Sequence, residues 1–132
     1  MDELHNIISE IILHKKQVNI SVKPWQISNL NNVRILDLLY NGGDAIYTFI
    51  IEVKKKFVSF TNIHREARRG TGTKSLMELE VSLGKLSKIL NKTIQIIFPQ
   101  NDQEDTKAWL EKNKYISIKD EDNILFVKEI RG

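Results

Sequence analysis

The sequence predicts an α/β chain of the α+β type, in which an antiparallel meander is followed by a helix, a parallel strand, a second helix and a C-terminal hairpin, all in one mixed sheet. Three observations carry this. Strand-like runs recur between Val18 and Ile63, separated by short turns that use Gly, Asn, Asp and Lys. The period then changes: Leu76, Leu79, Leu83, Leu86 and Leu90 step by three and four, which makes one buried helical stripe. Directly after it, Thr93 to Phe98 is a compact apolar strand. A strand reached through a helix pairs parallel to an earlier one by a right-handed crossover.

At the start, Leu4, Ile7, Ile8, Ile11 and Ile12 have helical spacing and close on His14-Lys15-Lys16. They define an amphipathic helix over residues 1–16, whose apolar face serves either the core or a homodimer interface. Val18, Ile20 and Val22 alternate with polar residues as a strand that Pro24 stops. Asn29 to Tyr40 is rich in apolar residues, and Asn41-Gly42-Gly43-Asp44 turns it into the strand Ala45 to Val53. Lys54-Lys55-Lys56 is most simply a solvated turn into the strand Phe57 to Ile63. His64 to Lys74 reads as a basic, glycine-containing turn, and Ser75 with Glu78 as the capping box of a helix from Ser75 to Leu90. Pro99 ends the next strand. Asn101, Asp102, Glu104 and Asp105 suit a helix start, and that helix continues to Asn113 with Ala108, Trp109 and Leu110 as packing positions. Tyr115 to Lys119 and Ile124 to Lys128 form the final hairpin about Asp120-Glu121-Asp122-Asn123. Trp25 and Trp109 are expected as core or rim aromatics.

With 132 residues and 41% hydrophobic content, the chain supports one domain over residues 1–132, its core drawn from 17–132. Twenty basic against 17 acidic residues leave a net charge of +3, too small a surplus to imply nucleic acid by itself. The absence of cysteine excludes disulfides, thiolate catalysis and cysteine zinc sites. No metal is expected, because His5, His14 and His64 lie far apart and no helical His pair exists. An acidic start and the lack of any apolar run near the roughly 18 residues of a membrane span lead us to expect a cytoplasmic protein with no membrane partner.

A strand running into a basic glycine turn and then a helix makes an anion site. Unpaired N–H groups of the first helical turn and the positive end of the dipole favour a phosphate, glycines let it approach the backbone, and Arg69 and Lys74 add charge. A plain helix start with a solvated basic face is the alternative. A phosphate-binding Walker A loop fails because Thr73 and Arg68 stand where it needs glycines. A dinucleotide fingerprint fails at Ser75, and the early meander contradicts its parallel units.

Element order and two motifs together resemble the GNAT family of N-acetyltransferases, over about Asn31 to Ile130. Arg69-Gly70-Thr71-Gly72-Thr73-Lys74 follows the family's acyl-CoA signature up to its last place, where Lys74 replaces a small residue. Trp109-Leu110-Glu111-Lys112-Asn113-Lys114-Tyr115 follows a later frame with three changes. Of these, Leu110 replaces a tyrosine that in many members protonates the leaving CoA thiolate, Lys114 replaces a glycine, and Tyr115 a phenylalanine. The resemblance implies a GNAT-like fold and an N-acetyltransferase that takes acetyl-CoA as cosubstrate and a primary amine, on a small molecule or a protein, as acceptor. It places the CoA pyrophosphate on the main chain of Arg69, Gly70, Thr71, Gly72, Thr73 and Lys74. It also places the pantetheine arm against free backbone at Asn62 and Ile63, where the strand before the turn splays from Thr93–Phe98. His64 and Glu66 are weak candidate general bases, with Glu52 and Asp44 nearby, and each is more simply explained as a solvated or hydrogen-bonded side chain. The competing expectation is a noncatalytic binding protein of the same fold, whose basic turn contacts nucleic acid or an acidic protein partner.

Overall fold

The computed structural model describes residues 18–24, 33–40, 45–67, 72–99 and 104–131. The helix expected over residues 1–16, the connection at 25–32 with Trp25, the Asn41–Asp44 turn and residues 68–71 lie outside the described residues. The strands are β1 (Val18–Pro24), β2 (Val33–Tyr40), β3 (Ala45–Val53), β4 (Phe57–Ala67), β5 (Thr93–Pro99), β6 (Ile116–Asp120) and β7 (Asn123–Ile130). Among the described residues two helices, α1 (Gly72–Leu90) and α2 (Glu104–Lys112), flank β5 in the chain.

The seven strands form one mixed sheet in the order β1-β2-β3-β4-β5-β7-β6. From β1 to β4 each strand pairs antiparallel with the next. The crossover through α1 lays β5 parallel to β4. The closing hairpin returns β7 antiparallel against β5 and leaves β6 on the edge.

Side-chain alternation decides which face is covered. Tyr47, Phe49 and Ile51 of β3, Val58 and Phe60 of β4, and Ile94, Ile96 and Phe98 of β5 are buried on one face with Phe126 of β7. Against them lie Leu76, Leu79, Leu83 and Leu86 of α1 and Leu110 of α2, so both helices share that face. Phe98 joins the two halves of this core: its ring meets Phe49 edge-on at 6.2 Å and Tyr115 at 5.4 Å.

Three boundaries differ from expectation, each for a local reason. β4 runs past Ile63 to Ala67, because Ala45 to Thr48 continue to pair with it. Gly72 opens α1, three positions before Ser75, so Ser75 is inside the first turn and no capping box forms there. Its hydroxyl instead donates to the Gly72 carbonyl at 3.0 Å and meets the Tyr47 hydroxyl at 3.1 Å. Tyr115 precedes β6 and is 4% exposed, a core residue rather than a strand residue. Both helices end on a left-handed residue. Asn91 (φ 53°) follows α1 and the Lys92 N–H returns to Ser87 O at 3.2 Å; Lys114 (φ 71°) follows α2 and the Tyr115 N–H returns to Leu110 O at 3.0 Å.

Candidate functional site

The distinctive place in this sheet is where β4 and β5 part. They pair in register from Phe57↔Thr93 to Thr61↔Ile97 and no further. Beyond that point β4 follows β3 to Ala45↔Ala67, while β5 follows β7 to Pro99↔Leu125. Residues 62–67 therefore have no ladder partner in β5, and a split opens between the two strands. Peptide groups along such a split are donors and acceptors available to a ligand lying in it.

A bulge sits at the root of the split. The β3–β4 register passes from Phe49↔Asn62 to Thr48↔His64, which leaves Ile63 as one extra residue on β4. The Asn62 side-chain amide braces it, donating to Thr48 O at 3.2 Å and to His64 O at 2.9 Å. The extra residue also changes the alternation. Had β4 run regularly, His64 would share the helix face with Phe60. Instead Arg65, opposite Tyr47, takes that face, and His64 and Glu66 are displaced to the other one.

On the helix side, the first turn of α1 stands beside the split. The buried Tyr47 donates its hydroxyl proton to Gly72 O at 3.1 Å, which ties the helix start to β3. Burial raises the Tyr47 phenol above its ordinary pKa, partly offset by Ser75 and by the Arg65 guanidinium. Arg65 reaches over to α2, where it donates to Thr106 Oγ1 at 3.1 Å and lies 4.5 Å from the Trp109 ring centroid. The Trp109 indole N–H in turn donates to Thr73 Oγ1 at 2.9 Å, and its ring packs edge-on against Phe98 of β5 at 6.2 Å.

Of the residues the sequence singled out, Gly72, Thr73 and Lys74 form the first turn of α1, with Thr73 and Lys74 exposed. Asn62 braces the bulge and Ile63 is the bulged residue. Arg69, Gly70 and Thr71 lie outside the described residues. His64 and Glu66 are brought together, Nε2 to Oε1 at 3.5 Å, both more than half exposed on the face away from the helices. Glu52 is instead near Lys54 at 3.2 Å, at the opposite end of β3. Leu110 is a core residue at 1% exposure. The nearby phenol, Tyr115, donates to Glu80 Oε2 at 3.0 Å, and Glu80 also holds Lys128 at 2.6 Å. Burial, then the Glu80 carboxylate, push the Tyr115 pKa far above the ordinary phenol range.

Arg65, Thr106 and Tyr47 were not legible as site residues. A bulge has no composition signal, and without it Arg65 would face the other way. Among the described residues no group of three or more metal-ligating side chains occurs, and no helix is long and apolar enough to cross a membrane. No protein-family model matches the chain, and no curated protein matches it either.

Proposed function

We propose that the protein is an acyl-CoA-dependent N-acyltransferase of GNAT-like fold, with acetyl-CoA as donor and a primary amine as acceptor. The observation that carries this proposal is the split: β4 and β5 stop pairing at Thr61↔Ile97, with a braced bulge at Ile63 at its root and the first turn of α1 at its side. A pantetheine arm is an extended chain with amides, and a strand edge freed of its neighbour can hydrogen bond to it as a further strand would. The N–H groups at the start of α1, with Lys74, suit the pyrophosphate.

Acetyl-CoA supplies an activated thioester carbonyl. The protein's part is to orient it at the bulge and to admit the amine from the face where His64 and Glu66 lie. The amine attacks the carbonyl carbon, the C–S bond breaks, and one proton leaves the nitrogen. In this reading His64, which lies 3.5 Å from the Glu66 carboxylate, accepts that proton. Leu110 stands in the frame where the family resemblance expects a phenol for the departing sulfur, and the Tyr115 hydroxyl donates to Glu80. The same fact favours a second reading, a binding protein on this fold whose basic turn meets nucleic acid or an acidic protein partner and whose chemistry has been lost.

Melting with acetyl-CoA separates the two. A ligand at 100 times its Kd stabilises by about 2.7 kcal/mol, a shift of several degrees for a chain of this size. Gly72→Glu should abolish the shift and leave the unliganded melting temperature near wild type, since it places a carboxylate where the phosphate would bind. No shift in the wild type, together with nucleic-acid binding that falls steeply with salt, would favour the binding protein.

A further inference from the structure

The split is bridged on its helix side. Trp109 lies between its two arms, edge-on to Phe98 at the end of β5 and face-on to the Arg65 guanidinium from β4. Arg65 is fastened to α2 at Thr106, and Trp109 to α1 at Thr73. Four elements around the split, β4, β5, α1 and α2, are thus joined by side chains alone. None of these contacts is a salt bridge: they join Arg65 to two hydroxyls and an indole.

We infer that Arg65 and Trp109 form a latch that closes the split in the unliganded protein and opens when acyl-CoA enters. This rests on the acyl-CoA proposal for the same site. In the closed form the indole takes up the helix-side space between the strand ends. Opening turns the indole away from Thr73 and frees the Thr73 hydroxyl and the Arg65 guanidinium together, both beside the start of α1. The ligand then binds only the open fraction, so its apparent Kd is the intrinsic value divided by that fraction. Contacts of this kind, one cation–π pair and two hydroxyl hydrogen bonds, hold a closed state over an open one by about tenfold.

Arg65→Met keeps the length of the side chain and removes both its charge and its hydrogen bonds. Arg65→Gln, which retains a polar head, serves as the second variant. The chain has two tryptophans, so in a Trp25→Phe background Trp109 is the only indole that emits. The latch predicts that acrylamide quenches Trp109 more strongly in either Arg65 variant than in the parent, and that CoA added to the parent raises quenching in the same way. It also predicts that calorimetry finds CoA bound about tenfold more tightly by Arg65→Met. Weaker or equal binding by that variant overturns the latch, as does CoA binding that leaves Trp109 quenching unchanged; both results spare the acyl-CoA site. Absence of CoA binding by parent and variants alike refutes the site itself, and the latch with it.

Discussion

Deleting Ile63 should remove the bulge and leave the rest of the sheet in place. The pairs Phe49↔Asn62 and Thr48↔His64 flank one extra residue, so without it the β3–β4 ladder becomes continuous with every other partner unchanged. The cost to folding is small and can be estimated. Ile63 is 52% exposed, so its loss forfeits only part of the roughly 1.5–3 kcal/mol of a fully buried side chain. The Asn62 amide loses the geometry of its His64 bond, about 0.5–1.5 kcal/mol. Against this, a regular ladder replaces a locally disrupted one. The expected net loss is about 1–2 kcal/mol, read from urea unfolding at constant m-value. Ligand binding should suffer far more, because the bulge is what re-aims the backbone at the root of the split. Loss of a single ligand hydrogen bond there weakens CoA about tenfold, as titration calorimetry would show. A deletion variant that binds CoA as the wild type does would refute the role given to the bulge. One that loses most of its folding free energy would refute the register argument.

Two further expectations concern stability. Lys114 holds φ at 71° with its side chain exposed, so Lys114→Gly should stabilise by about 1 kcal/mol, measured as a higher urea midpoint; a lower midpoint would mean that the lysine contributes more than its strain costs. The phenols of Tyr47 and Tyr115 are both raised above 10.0 in the folded state. A raised phenol keeps a proton that the unfolded chain releases, so its contribution is intact below pH 10 and is lost as pH rises beyond it. Tyr115, whose phenol is raised furthest, lowers stability by about 1.4 kcal/mol per pH unit once pH passes 10, and Tyr115→Phe should make the fall in stability above pH 10 shallower by about that slope. Parallel profiles for wild type and variant would sink this account.

The helix stripe of α1 and the apolar run of β5 were plain in the sequence because each obeys one period and buries one side. The parallel pairing followed from their order. What could not be read was the far end of β4. His64-Arg65-Glu66-Ala67 has the composition of a turn, yet it is strand, because a segment paired on one edge only needs no apolar run to hold it. The start of α1 was misplaced for a related reason: Ser75 has the chemistry of a cap, but Tyr47 engages its hydroxyl across a sequence separation that no local pattern reveals.

These unread features belong together. A strand that must leave one neighbour while keeping another needs a change of twist, and a bulge supplies it. The same extra residue reverses the faces of the following side chains, so it also decides which residue meets the helices and which meets the opposite face. Arg65 reaches Trp109, and His64 stands beside Glu66 on the opposite face, because Ile63 is bulged out of the ladder rather than paired in it. Splitting the sheet and sorting its charged side chains are therefore one structural event. Deleting Ile63 leaves Arg65 opposite Tyr47, so that variant should keep the Arg65–Trp109 contact while it loses ligand, which separates the backbone's part from that of the side chains.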